Sequence, residues 1–381
     1  MLPRERVAAA FEQRPTDKVP TYQAGLSSRV ASALLGREAY VGGGIQQWRE
    51  SRALWKGAEA HRDFLERTQR DTLELATVLD LDYVRPAYWR LAQKPARRID
   101  EYTFLYGDPD GSHRVMRLDP RSELYQVVEQ EPPDAPTLDV LQQRVESAER
   151  ALPDFRPAPS DYPEIVAAVA CHGAARAVPG VGIGLSIPYR PQAWLAAVAE
   201  RPALVARHLD AQVERAIRVA EVMARIGVRY LHGGGDFASN RGPNYSPRAF
   251  RALMLPRLRR LSNACHRLGL CHMFASDGNL WPVADDLFGA SGVDAYYEID
   301  RRAGMDLAAL RERFPHLTLL GNISSHTLHV GSRDEVIAET MSCLEVAHAH
   351  GGVIVGASNQ IVAETPMDNV TAMLETIRDN R

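Results

Sequence analysis

From about residue 164 onward the sequence repeats one unit: a short apolar run, a turn, then a longer amphipathic stretch. The apolar runs are Ile165 to Ala170, Arg229 to His232, Leu270 to Ala275, Ala295 to Glu298, Leu317 to Leu320 and Val353 to Val355. Helical periodicity fills 203–226, 247–268, 305–314 and 333–350 between them. Strands alternating with helices require a parallel sheet with helical cover. The number of units favours closure into a single (β/α)8 TIM barrel, of α/β class, over an open doubly wound sheet. A chain of 381 residues suits one such domain spanning 1–381 with insertions.

The first part of the chain is built differently. Residues 3–13 and 60–79 read as helices, and Leu81-Asp-Tyr-Val begins a first strand, so an N-terminal extension precedes the regular units. Between 97 and 129 two alternating runs flank Asp108-Pro-Asp-Gly, the signature of a β-hairpin elaboration. A polar link at 131–137 and a short helix at 138–150 lead into the repeats.

Composition narrows the functional classes. Apolar residues make up 45% and the net charge is −3, so a large core is available and the strongly basic face of a nucleic-acid binder is missing. The four cysteines are scattered and never form CxxC, which disfavours disulfides and cysteine-rich zinc. With no signal-peptide pattern and no apolar run of membrane-span length, the expected location is the cytoplasm. Neither Gly42-Gly-Gly nor Gly233-Gly-Gly matches a phosphate or dinucleotide loop.

In a barrel the residues just after each strand converge at one mouth. Those positions hold His232-Gly-Gly-Gly-Asp236, Ser276-Asp277-Gly-Asn279, Glu298 with Asp300, Gly321-Asn322, and Gly356-Ala-Ser358-Asn359. Each has a plain alternative. Asp277-Gly-Asn279 can turn the chain and cap a helix, the three glycines can punctuate a loop, and His232 can be a satisfied structural histidine. Glu298 is harder to dismiss, because a carboxylate ending an apolar strand must be solvated, paired or functional. Side-chain alternation puts Cys271, Met273, Ala275 and Asp277 inside and His272 against the helices, so Cys271 reads as a buried inert thiol and His272 as structural.

Several segments, in order, resemble the uroporphyrinogen decarboxylase superfamily. They are Pro3-Arg-Glu-Arg-Val-Ala-Ala-Ala-Phe with Pro15-Thr-Asp-Lys-Val-Pro20, Ser246-Pro-Arg-Ala-Phe with Leu255-Pro-Arg-Leu, and Ser276-Asp-Gly-Asn279. Glu298 with Ala303-Gly-Met-Asp306, Gly321-Asn-Ile, and Gly351-Gly-Val-Ile with Thr365-Pro-Met-Asp-Asn369 complete the series. The likeness runs along nearly the whole chain and is nearest the methyltransferase-like branch. It implies a barrel enzyme, often a homodimer, acting on a small molecule.

Two departures shape what the resemblance implies. Where the decarboxylases carry MRQAGR this chain has Tyr22-Gln-Ala-Gly-Leu-Ser-Ser-Arg29, so uroporphyrinogen III is not expected as substrate. The methyltransferases bind zinc through a His-x-Cys pair and a later cysteine. Here those positions read Ala275, Asp277 and Ala357-Ser-Asn359, so no metal is expected. The expected catalytic groups are Asp236, Asp277 and Glu298. Substrate would be held by His232, Asn279, Asn322, Ser358 and Asn359, with Arg29, Arg85 and Arg241 as cationic anchors. The reading is a metal-independent acid–base enzyme for a small polar substrate, with no bound cofactor. Decarboxylation, methyl transfer with a corrinoid carried by a partner protein, and an inactive small-molecule or corrinoid-binding protein are the alternatives.

Overall fold

The computed structural model describes every residue except 87–88 and 133–134. Six parallel strands form one sheet, in the spatial order Val353–Ile354, Thr318–Leu320, Ala295–Tyr297, Cys271–Ala275, Tyr230–Gly234 and Gly180–Gly184. Sequence order and spatial order run together, as expected when each strand returns through a helix to lie beside its predecessor. The covering helices include Pro202–Ile226, Leu255–Arg267, Leu307–Arg313 and Arg333–His350. No helix among the described residues is long and apolar enough to cross a membrane.

Beyond the edges of this sheet, single parallel bridges pair Val355 with Thr21, Tyr22 with Tyr83, and Tyr83 with Ala177. Backbone hydrogen bonds accompany them, from Tyr22 N–H to Val355 (3.1 Å), Tyr83 N–H to Thr21 (3.1 Å) and Val84 N–H to Ala177 (2.8 Å).

The strands are buried on both faces, so alternate side chains enter two different cores. Tyr22, Tyr83, Tyr230, Met273, Ala275, Ala295, Tyr297, Leu320 and Ile354 share one cluster. Phe274, Tyr296, Leu319 and Val353 join the large cluster that holds the covering helices. His272 belongs to this helix-facing set: its Nδ1 lies 2.8 Å from Ser262 Oγ on the helix Leu255–Arg267.

The expected strand Ile165 to Ala170 is instead part of a helix, Pro163–His172. A six-residue apolar run does not distinguish the two, whereas Pro163 in the first turn and Glu164 beside it are helix-start signals. The strand lies further on, at Gly180–Gly184, sequence Gly-Val-Gly-Ile-Gly. Glycine is a poor strand former, so the pattern is faint. Packing requires it: a Cβ on Gly180 would come within 2.8 Å of both Leu231 Cδ2 and Met223 Sδ.

Residues 97–131 form an antiparallel sheet of four strands, Arg97–Arg98, Thr103–Gly107, His113–Asp119 and Leu124–Glu131. One face, with Phe104, Tyr106, Met116, Leu118 and Tyr125, packs on Trp48. From its last turn, Glu123 accepts hydrogen bonds from the Ser28 and Arg29 N–H groups, fixing the start of the helix Ser28–Leu35.

Opposite the site, a fully buried carboxylate gathers the chain. Asp82 accepts hydrogen bonds from the Thr21 N–H (2.9 Å) and from the Thr21 hydroxyl (3.1 Å). It also pairs with Arg6 Nε at 2.8 Å and Arg381 Nη2 at 2.7 Å. Removing one side of a buried ion pair leaves uncompensated charge. Asp82→Ala is therefore expected to lower the unfolding free energy by about 3–5 kcal/mol; a loss below about 1 kcal/mol in urea titration would contradict the role assigned to it.

Candidate functional site

The C-terminal ends of the strands carry four carboxylates on three loops. Tyr230–Gly234 leads into Asp236, Cys271–Ala275 into Asp277, and Ala295–Tyr297 into Glu298 and Asp300. The glycines before Asp236 have a packing reason. Gly234 sits at φ +107, and a Cβ there would lie 2.4 Å from the Ala275 nitrogen. That close approach lets Gly235 N–H reach the Ala275 carbonyl (3.0 Å) and Phe237 N–H reach Ser276 Oγ (3.4 Å). The loop is thereby knit to its neighbour, and the Asp277 N–H donates to Asp236 Oδ1 at 3.1 Å.

Asp277 is half-buried, and the Asn359 amide reaches both its oxygens, at 3.3 and 3.2 Å. Burial, then the charges of Asp236 and Asp300, push its pKa up to about 6, against the Asn359 hydrogen bond. Glu298 is perturbed as well. Its side chain keeps 22% exposure and its backbone is left-handed, φ +62, a conformation that costs a non-glycine residue and is held by its surroundings. Burial raises its pKa to about 7; Arg85 opposes, while Asp277 and Asp236 add to the rise.

Arg85 closes the other side. Its Nη1 is 3.9 Å from Glu298 Oε1 and donates to the Ala24 carbonyl at 3.2 Å. The guanidinium carbon stands 6.0 Å from the centre of the Tyr297 ring. Beneath Glu298, the Tyr297 hydroxyl donates to the Gly233 carbonyl (2.8 Å), and its ring stacks on His232 at 4.6 Å. Burial, and secondarily Arg85, hold His232 well below the usual imidazole range, so it is neutral. Its Nε2 meets the Tyr83 hydroxyl at 2.6 Å, while Nδ1 is buried without a hydrogen-bond partner. The Tyr83 hydroxyl also faces Met273 Sδ, so either tautomer of His232 leaves Nδ1 unsatisfied.

The other expected residues separate. Asn322 is fully buried, donating to the Met305 carbonyl and facing the Cys343 thiol, and so it braces the loops. Asn279 accepts from the Trp281 N–H and its own N–H donates to Ser239, which makes it a turn residue. Ser358 is buried, with its N–H on the Ile323 carbonyl. Arg29 and Arg241 are exposed, on the helix Ser28–Leu35 and in the turn between Ala238–Ser239 and Gly242–Pro243. Cys271 is half-buried, with its pKa raised to about 11 by burial, so the thiol is inert at neutral pH though not enclosed. Sequence reasoning passed over Tyr83 and Tyr297, and it noted Asp300 at a strand end without giving it a role. The alternation that placed Asp277 would have placed Tyr83 and Tyr297 inward too.

Residues 189–380, which hold all four carboxylates, match the model of the uroporphyrinogen decarboxylase (URO-D) family. The chain belongs to that family. A methyltransferase from Methanosarcina mazei has the same fold, with a TM-score of 0.64 at 18% identity over 100% of this chain and 99% of that one. A 3-keto-D-glucoside 4-epimerase from E. coli gives a TM-score of 0.36 at 12% identity, over 64% of this chain and 95% of that chain. A D-psicose 3-epimerase from Clostridium cellulolyticum gives 0.35 at 12%, over 63% of this chain and 92% of that chain. No curated protein matches the sequence.

Within this URO-D chain the donors do not fit the thiol-activating zinc of the methyltransferase-like relatives. At the two mouth positions that would supply imidazole and thiolate stand Ala275 and Asp277, and Asn359 spends its amide on Asp277. Among the described residues no group of three or more His, Cys, Asp or Glu side chains is arranged to hold a metal ion.

The raised carboxyl of Glu298 makes a signed prediction. A folded-state pKa above the unfolded value contributes stability that is full below about pH 4.5 and is lost as pH rises through about 7. Glu298→Gln removes that loss. The variant is expected to be more stable than the parent at pH 8, by on the order of 1–2 kcal/mol after screening, and to converge with it near pH 4.5. Carbon-detected NMR of the Glu298 carboxyl should show a midpoint near 7; a midpoint near 4.5 would remove the basis for this.

Proposed function

We propose that this URO-D family protein is a metal-independent acid–base enzyme for a small polar substrate, with Glu298 as the proton-transferring group. The sheet and its three flanking bridges support a closed (β/α)8 barrel whose mouth is the carboxylate cluster. The observation that carries the reading is Glu298 itself. A general acid or base works best when its pKa lies near the working pH, and this carboxyl is brought to about 7 beside a fixed cation. The neighbouring Asp277, at about 6, is the natural second member of an acid–base pair, and Asn359 orients it. Neutral His232 offers its unsatisfied Nδ1 as a substrate contact.

Decarboxylation is the second reading, favoured by the Arg85–Glu298 pairing. Arg85 would hold a substrate carboxylate; carbon dioxide leaves, its bonding electrons stay on the adjacent carbon, and protonated Glu298 supplies the proton to that carbon. The fold shared with a methyltransferase adds methyl transfer, with a partner-borne corrinoid, to the reactions to be tested.

Turnover of a panel of small carboxylates, amides and methylated metabolites, followed by mass spectrometry with trapping of released carbon dioxide, tests these readings. Glu298→Gln is expected to lower kcat by about 100-fold or more, and Asp277→Asn by about 10-fold or more, with unchanged circular dichroism. Full activity in Glu298→Gln would sink the proposal.

A further inference from the structure

A cleft formed mostly by residues 23–89 opens beside Arg85. Its empty space, open solvent at its entrance included, is about 640 Å³. Its walls are apolar: Leu26, Val41 and Leu79 among them, with Leu75 and Ala76 from the helix Ala58–Val78. The polar side chains of Gln23, Thr72, Gln360 and Arg85 break that lining.

Two of these tie the cleft to the site. Arg85 lines the cleft and stands 3.9 Å from Glu298. Gln360 lines it as well, and its N–H donates to Asn359 Oδ1 (2.7 Å), the residue whose amide holds Asp277. The cleft wall is fixed at this point because Gly25–Leu26 and Gln360–Ile361 pair as parallel strands. An apolar chamber with a planar cation at the edge nearest the reacting groups matches one ligand shape. The guanidinium fork takes a carboxylate through two parallel hydrogen bonds, and the apolar walls take a hydrocarbon body.

We propose that this cleft seats the hydrocarbon part of a monocarboxylate ligand whose carboxylate is held by Arg85, at the edge of the Glu298 site. The assignment rests on the acid–base reading above for what becomes of the ligand, narrows its substrate to a molecule with one polar, carboxylate end and an apolar body, and rests on the cleft alone for binding. A polar sugar or a polyanion would leave the apolar walls unused.

Calorimetric titration with butanoate, hexanoate, octanoate and decanoate, and with the matching primary alcohols, tests it. Affinity for the acids is expected to rise roughly tenfold for each added pair of methylenes until the cleft is full. Arg85→Met should weaken the acids at least tenfold and leave the alcohols unchanged. Ala76→Leu should abolish the gain with chain length, and Thr72→Phe, at a half-buried lining position, is the second variant should Ala76→Leu fold poorly. Affinity independent of chain length, or acids and alcohols weakened alike in Arg85→Met, would overturn the proposal. The same series on Glu298→Gln separates the two ideas. A chain-length series kept there, with Glu298 of the parent titrating as an ordinary carboxyl, defeats the acid–base reading and leaves the ligand class standing. No series in a parent whose Glu298 titrates near 7 defeats the ligand class alone.

Discussion

A single buried carboxylate, Asp82, sets the geometry on which both the sheet and the site depend. Four donors from three distant parts of the chain meet on it: the Thr21 N–H and hydroxyl, Arg6 and Arg381. The Thr21–Tyr22 and Tyr83 segments at this anchor are held to each other and to their neighbours by single bridges, not by long ladders. Such short pairings contribute few backbone hydrogen bonds, so the charge-assisted bonds at Asp82 do much of the fixing. One residue on, Tyr83 reaches His232; three residues on, Arg85 reaches Glu298. An anchor beneath the sheet thus places a cation and a neutral imidazole at the top.

The carboxylate cluster is built around unfavourable electrostatics. Burial raises the pKa of Asp277 and Glu298, and neighbouring charge adds to the rise: Asp236 and Asp300 at Asp277, Asp277 and Asp236 at Glu298. Water-exposed carboxylates would screen each other and stay ordinary acids. The left-handed backbone at Glu298 adds local strain, and the protonated state relieves only the charge. Stability is given up here at neutral pH, as is common where a group must be tuned for proton transfer.

Legibility varied with the length and strength of the local signal. Long periodic stretches such as Pro202–Ile226 and Arg333–His350 are plain in the sequence, because each must present one apolar stripe for many turns. Ile165 to Ala170 misled, since six apolar residues satisfy a buried strand or a helix equally, and the helix-start chemistry of Pro163 decides it. Gly180–Gly184 was invisible because its glycines answer to packing, Gly180 to Leu231 and Met223 and Gly182 to Val219, and not to any strand propensity. In the site, Asp277 and Glu298 were readable from strand ends and alternation, whereas Asn322 and Asn279 occupied the same kind of position and proved to be braces.

The sequence by itself determined the alternation of strands and helices, the family, and which loops carry acids, because periodicity and residue order are local properties of the chain. Only the tertiary structure decided which acid is perturbed and which cation meets it. Glu298 and Arg85 are more than two hundred positions apart, and a pKa depends on burial and on charges within a few ångströms, which a linear pattern does not record.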